Sequence, residues 1–442
     1  MTKVEARRRV LLVVGSWSPA MLADMQRARM LASYLPSLGW DVEVLSPRFT
    51  EVRSDVIEPE SADFFPIGIP IHEVGSWARP LFEAMGSSTH GWRTLGPMRL
   101  LGAALLRSGR FDLVYFTTTT FVFFSLGPIW QRKYGVPYVL DFQDPWVKEP
   151  VLRSRQSRLR SRLAESLGTR LERRAVVGAA GLVAVSPRYI DALTSRYSAD
   201  RPGWLRQGRN ACIPFGAHEA DWAVVSHSAR SAPSMGRETI VLRYVGAGGA
   251  IMERSFAVIC GILASLRSQG HPLLSRLRIE LVGTTYGWTP GVPKELEQVA
   301  EAQGVGDLVD EQPGRVPYRR SLELLLDADG VLILGVDDLG YMPSKLFAHA
   351  LSGKPLLACL RLDSPAYAQM QAMPDLGHVV WFDGDRQSAP AEAVEVVTSF
   401  LAEAAAGRRL DRAEALQPFV SKRMTQRHVE LFEACIGAGH RL

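Results

Sequence analysis

At 442 residues the chain is too long for one compact core and predicts two domains, or three. It is 47% hydrophobic and 22% charged, the balance of a soluble globular enzyme. Its 51 basic and 46 acidic residues leave a net charge of only +5, which gives no reason to expect a nucleic-acid partner.

The opening MTKVEARRRVLLVVGSW is basic and then apolar, but the apolar run is too short for a signal peptide and Gly15 ends it. Residues 10–14 therefore read as a first strand, 15–20 as a loop and 21–38 as a helix, with apolar positions at Met25, Ala28, Leu31, Leu35 and Leu38. Residues 41–45 make a second strand, and further strands follow at 113–116, 138–140 and 181–185. The longest apolar region, 111–130, is interrupted by Asp112, four consecutive threonines and Pro128, so a membrane-spanning helix is not expected there. Between 216 and 238 the alternation lapses. HSARSAPSMGRE reads as a linker at about 219–236. A second series then begins: strand 240–245, glycine loop 246–249, helix 256–269, strand 278–282, a short strand from 308, helix 318–328 and strand 331–334. The expectation is an α/β protein of two Rossmann-like domains, 1–218 and 237–415, with parallel sheets whose ligands bind at the carboxyl ends of the strands.

Several stretches carry chemistry. VLRSRQSRLRSRLAESLGTRLERR (151–174) has eight Arg and two Glu, with Leu159, Leu163, Leu167 and Leu171 on one helical face. It predicts either a solvated helix over the sheet or contact with an anionic membrane surface. Four scattered cysteines without a CxxC pair fit reduced thiols, hence a cytoplasmic protein, peripheral at the inner membrane face if the basic helix binds lipid. Nine histidines without ligand spacing argue against a metal. In YVLDFQDPW, Asp141 and Asp144 are candidate catalytic carboxylates at a strand end, with Trp146 beside them as a face for a sugar ring. The alternative there is an Asp-Pro turn. Ser16 and Trp17 lie on the loop after the first strand. Gly246, Gly248 and Gly249 follow the first strand of the second series and would bring backbone N–H groups near a phosphate, with Arg254 as a second positive partner. In YMPSKLFAHALSGKP, Ser344 reads as an N-cap and Lys345 as a charge in the first turn of a short helix between two buried strands.

These segments, in this order, resemble the GT-B glycosyltransferases, most closely the retaining family 4. The likeness runs through ARMLASYLPSLGWDVEVLSP, FDLVYF, GVPYVLDFQDPW, AAGLVAVSPRYIDAL, VLRYVGAGG, RIELVGTT and YMPSKLFAHALSGKPLLA. It implies two domains facing across a cleft, with Ser16, Trp17 and Trp146 on the acceptor side. The helix 416–442 would pack back onto the first domain. It also implies a nucleotide sugar as donor, a saccharide or lipid-linked acceptor, retention of configuration and no metal or other cofactor. Tyr341, Ser344 and Lys345 would lie by the donor sugar and diphosphate, with Gly246, Gly248, Gly249 and Arg254. Arg315 and Val316 would lie near the base.

The chain departs from this pattern where it has Gly340 and Ala348 in place of two glutamates, and Gln143 in place of a histidine. Asp337 or Asp338 would then have to serve the ribose, and Asp144 becomes the better catalytic candidate. The expected activity is glycosyl transfer in polysaccharide or glycolipid assembly. The alternative is a degenerate GT-B protein serving as a binding or scaffold subunit. A sugar-nucleotide epimerase would need more cleft histidines, and an NAD-dependent oxidoreductase lacks its glycine fingerprint.

Overall fold

The computed structural model describes residues 7–78, 90–147, 159–228, 238–285, 291–384, 386–387 and 390–437. It forms two compact units, Met1–Pro214 with Ser421–Leu442, and Phe215–Val420. The expected linker at 219–236 begins instead with a helix, Glu219–Ser228, inside the second unit. Its buried Trp222 and Val225 supply the apolar contacts that a linker lacks.

The first unit holds β1 (Arg8–Val13), β2 (Trp40–Pro47), β3 (Ile71–Val74), β4 (Leu113–Thr117), β5 (Tyr138–Phe142), β6 (Gly181–Ala184) and β7 (Asn210–Cys212). All neighbours are parallel, in the order β3-β2-β1-β4-β5-β6-β7. Every residue of β4, β5 and β6 is buried, as continuous apolar strands covered on both faces must be. The opening helix is shorter than its periodicity suggests. It runs Met25–Tyr34 and tightens into a 3₁₀ turn at Leu35–Leu38, because Pro36 has no N–H to continue the α ladder. The basic helix is described from Leu159 to Gly178, and residues 151–158 of that stretch lie outside the described residues.

The second unit repeats the plan with β8 (Ile240–Val245), β9 (Leu277–Val282), β10 (Val309–Gln312), β11 (Gly330–Leu334), β12 (Leu356–Arg361), β13 (His378–Asp383) and β14 (Arg386–Gln387). The order is β10-β9-β8-β11-β12-β13-β14, parallel except for the last pair. By length and composition the segment Gly249–Ser268 is apolar enough to cross a membrane. Here Phe256, Ile259, Cys260 and Leu263 bury it in the unit's core. In each sheet the order reverses once, between β1 and β4 and between β8 and β11. Loops diverge at such a reversal and leave a crevice at the carboxyl ends of the strands.

One buried ion pair holds the first unit together. Arg27 and Asp141 are 3% and 0% exposed, and Arg27 Nε lies 2.8 Å from Asp141 Oδ2. Thr117 Oγ1 and Gln143 Nε2 also donate to Asp141 Oδ2. Arg27 Nη2 donates to the Ile213 carbonyl, and Nη1 lies 3.4 Å from His428 Nε2. His428 Nδ1 is 2.7 Å from the Met424 carbonyl, which can only accept, so Nδ1 carries the proton and Nε2 accepts from Arg27. The pair thus links the first helix, β5, the end of β7 and the C-terminal helix Ser421–Ile436. Asp141, a catalytic candidate from the sequence, is a sealed counter-ion and not a group that substrate reaches. Breaking such a pair leaves an uncompensated charge, which costs about 3–5 kcal/mol. Asp141→Asn should lower unfolding stability by that order in urea denaturation; an unchanged midpoint would refute the structural role.

Candidate functional site

In the second unit the loops after β8, β9, β10 and β11 converge. Gly246 has φ +144°, a backbone conformation that only glycine adopts without strain. A Cβ there would collide with Nζ and Cε of Lys345, so the missing side chain is what admits the lysine. Lys345 Nζ lies 5.7 Å from the centre of the Tyr244 ring, on β8, within reach of its π face. A Cβ on Gly283 would lie 3.9 Å from Gly246 N and 4.0 Å from Arg315 Cα. The β9 loop therefore stands between the glycine loop and Arg315.

Lys345 retains partial exposure, yet its ammonium is pulled down to about 8, first by burial and then by the positive charge of Arg315. One helical turn on, burial followed by the Lys345 charge pushes His349 down to about 3. Two cations are held close together with too little water, an arrangement that an anion would relieve. Ser344 does not cap the helix. The helix is only Leu346–Ala350, Lys345 itself occupies the cap position, and no side chain bonds to the first turn. Ser344 is exposed and Tyr341 half-buried beside it.

The glycine loop differs from its expected use. The N–H groups of Gly246 and Gly248 donate to the carbonyls of Val282 and Thr284, and Ala250 N–H donates to Glu295 Oε2. These three amides are spent within the unit, and what Gly246 contributes to the site is room for Lys345. Arg254 is bound to Asp337 at 2.7 Å, and Arg361 grips the same carboxylate. Asp338 Oδ1 accepts from Gly340 N at 2.7 Å, a local turn. Both aspartates proposed for a ribose already have internal partners. Val316, next to Arg315, is half-buried.

In the first unit the reversal point carries a polar cluster that the sequence did not single out. A Cβ on Gly15 would lie 2.6 Å from Thr118 Oγ1, 2.9 Å from Thr120 Oγ1 and 3.0 Å from Asp24 Oδ2. Thr118 Oγ1, Thr119 N and Thr119 Oγ1 all donate to Asp24 Oδ2. His90 Nε2 lies 3.2 Å from the Gly15 carbonyl. Gln143 Nε2 donates to the Asp24 carbonyl at 3.1 Å. Burial raises the Asp24 carboxyl above its usual range, against its hydrogen bonds from the threonines and the charge of His90. Ser16, next to Gly15, is fully buried. Trp17 does not: it is 2% exposed and packs edge-on against Phe65, 5.4 Å away, as a core residue. Trp146 stacks on Phe121 at 5.8 Å with 12° between the rings, so one indole face is already covered. Asp144 is exposed on the loop after β5, while its neighbour Gln143 turns inward. Asp24 and His90 escaped notice because neither sits in a motif, and four consecutive threonines read only as an interruption.

Two doubly wound units of this topology define a GT-B protein, the fold of many nucleotide-sugar-dependent glycosyltransferases, and the resemblance to family 4 holds. Residues 25–203 match the profile of the glycosyl transferase 4-like domain. The fold is shared with HepE of Anabaena, solved in complex with UDP, at 16% identity and TM-score 0.56, covering 96% of this chain and 100% of that one. The catalytic domain of starch synthase IV from Arabidopsis thaliana, bound to ADP and acarbose, has 11% identity and TM-score 0.56, covering 98% and 100%. A trehalose-6-phosphate protein of E. coli, bound with UDP-2-fluoro glucose, has 11% identity and TM-score 0.62, covering 96% and 99%. A comparison with curated proteins finds no match.

The crowded ammonium makes a prediction. The folded state holds Lys345 near 8 against an ordinary 10.5, so its charge opposes folding fully below pH 8. That penalty fades as pH rises through the interval. Lys345→Met should raise the melting temperature of the ligand-free protein at neutral pH, with a smaller gain at high pH. A lower melting temperature at neutral pH would show that the lysine is a structural bond.

Proposed function

We propose that the chain is a retaining, metal-independent glycosyltransferase. It would move a sugar from a nucleoside-diphosphate sugar to a saccharide or lipid-linked acceptor in polysaccharide or glycolipid biosynthesis. The observation that carries this reading is the pair Lys345 and Arg315, crowded at the reversal point between β8 and β11 where Gly246 leaves room. As the glycosidic bond breaks, negative charge grows on the departing diphosphate. Fixed cations in a partly desolvated site stabilise that charge more than water does. They would stand in for a metal ion, and retention would follow if the acceptor hydroxyl attacks on the face the diphosphate leaves. Asp144, exposed after β5, is the group proposed to assist the acceptor. Asp144→Asn should then lower turnover and leave nucleotide affinity nearly intact.

HepE, starch synthase IV and the E. coli trehalose-6-phosphate protein were solved with UDP, ADP and UDP-2-fluoro glucose, which supports a nucleoside diphosphate as leaving group. The basic helix, with Arg170 and Arg174 exposed and Arg173 paired with Asp200, supports contact with anionic lipid at the inner face of a cytoplasmic membrane. A second reading, a degenerate binding or scaffold subunit, is favoured by Gly340, Ala348 and the internal pairing of Asp337.

The test is a thermal-shift and calorimetry panel of UDP, GDP, ADP, TDP and CMP. One diphosphate should raise the melting temperature. Its affinity should fall about tenfold between pH 7 and pH 9, as Lys345 loses its proton. Lys345→Ala should weaken it by about 1–3 kcal/mol. No binding at millimolar nucleotide would move the assignment to the scaffold reading.

A further inference from the structure

The crossover between β3 and β4 carries a surface that neither candidate site uses. Its helix, His90–Leu106, buries Gly91, Thr94, Met98, Gly102 and Leu106. That row recurs every three or four residues and fixes which side of the helix faces out. The outward row is Arg93, Gly96, Leu100, Ala104 and Arg107. Leu100 is 67% exposed, and Ala104 and Arg107 are exposed as well. Arg107 N–H still donates to the Ala103 carbonyl, so the row continues one residue past the helix.

The sequence sets Trp77 into this row and holds it there. Pro97 lies inside the helix and has no N–H for the Arg93 carbonyl. Trp77 N–H takes that carbonyl instead, at 3.0 Å. Arg93 Nε donates back to the Trp77 carbonyl at 3.4 Å. Gly96 leaves its side-chain position empty, and the indole fills it: a Cβ there would lie 2.1 Å from Trp77 Cη2. Leu100 stands one helical turn on. Trp77 is pinned at its backbone and its ring, yet it is 47% exposed. Ring and leucine together leave an apolar area that a partner can still bury.

The charge around this area has one sign. Residues 90–110 include Arg93, Arg99, Arg107 and Arg110 and no Asp or Glu. Arg93 reaches Glu51 at 3.3 Å, and Arg110 reaches Glu43 at 2.7 Å. Arg99 and Arg107 are exposed and form no ion pair among the described residues. The same holds for Arg132 and Lys133, exposed on the adjoining helix Leu126–Tyr134, whose Trp130 packs against Gly102. An indole and a leucine among unpaired cations match the headgroup layer of an anionic bilayer. The apolar groups enter the acyl boundary, and the cations meet lipid phosphates. A neutral saccharide could stack on the indole, but it would leave Leu100 in water and the cations unanswered.

We infer that the outward row of helix His90–Leu106, anchored by Trp77, is a docking surface for an anionic lipid bilayer. This contact is separate from the basic helix Leu159–Gly178. It does not rest on the transferase reading, because the same surface would hold a scaffold subunit at a membrane.

The experiment is co-sedimentation of the full chain with phosphatidylcholine vesicles, with and without phosphatidylglycerol. Binding should require the anionic lipid and weaken as salt is added. The double variant Arg99→Ser, Arg107→Ser should bind about tenfold more weakly. Leu100→Asp should lose a similar factor. Neither should lower the melting temperature, since all three side chains lie on the surface. Brominated acyl chains in the anionic vesicles should quench part of the tryptophan fluorescence, and Trp77→Phe should remove that part. Arg170→Ser with Arg174→Ser tests the basic helix by itself and should leave the quenching of Trp77 in the protein that still binds. No binding to anionic vesicles, equal binding to neutral ones, or full bromine quenching in Trp77→Phe would each overturn the inference. So would unchanged affinity in both Leu100→Asp and the Arg99, Arg107 variant. A Trp77-dependent fluorescence change with dextran, without vesicle binding, would overturn it in favour of a saccharide platform.

Discussion

The first unit depends on a charge that water cannot reach. Arg27 enters from the opening helix, Asp141 from the middle of the sheet, and His428 from the far end of the chain. Two buried charges are tolerable only when they are paired and hydrogen-bonded, and the bonds made by Arg27 and by Asp141 Oδ2 tie all four elements together. It also decides what the strand-end loop after β5 can offer. With Asp141 and the N–H₂ of Gln143 turned inward to Arg27 and Thr117, Asp144 remains as the outward carboxylate of LDFQDPW.

The second unit is organised by crowding of the opposite kind. Its glycine loop spends the amides of Gly246 and Gly248 on neighbouring carbonyls and contributes room, a place where a lysine side chain lies against the backbone. The ammonium has an aromatic face on one side and a second cation in range. The arginine singled out beside this loop in the sequence is held by Asp337, and the one that acts on Lys345 comes from the loop after β10. Both units thus place their polar chemistry where strand order reverses. They differ in sign: acceptor oxygens in the first, cations in the second.

Much of this was legible in the residues. Buried parallel strands announce themselves as short apolar runs, so β1, β2, β4, β5, β6, β8, β9, β11 and β12 all coincide with runs that the sequence marks. Four strands escaped: β3, β7, β13 and β14. β3 has only one buried residue in four, β7 is three half-buried residues and β14 is two residues long, so none of these carries a hydrophobic pattern. β13 buries only Val380 and Phe382, on alternate positions, and lacks the continuous buried run of its neighbours. Lys345 was found because it opens a short helix between two recognisable strands, whereas Arg315 entered only through the family resemblance, as a neighbour of the base. Asp24 was not, since its role comes from Thr118 and Thr119, more than ninety residues away, and no local spacing encodes that. Trp17 misled for the reverse reason. Its position on a strand-end loop suggested a ligand face, but packing against Phe65 claims it. Ser344 misled through its N-cap chemistry, which a five-residue helix capped by Lys345 never uses.

The chain leaves the first unit at Pro214, completes the second, and returns at Ser421, with Ala217 paired to Phe419 and Val420 where the two passages run side by side. This has a consequence for synthesis on the ribosome. Residues 215–420 are continuous and can close their core as soon as they emerge. The first unit, though made earlier, lacks His428, Leu431 and Phe432 until the final helix is out. Arg27 and Asp141 must then wait for the last partner of their network, so the unit translated first is the one that finishes folding last.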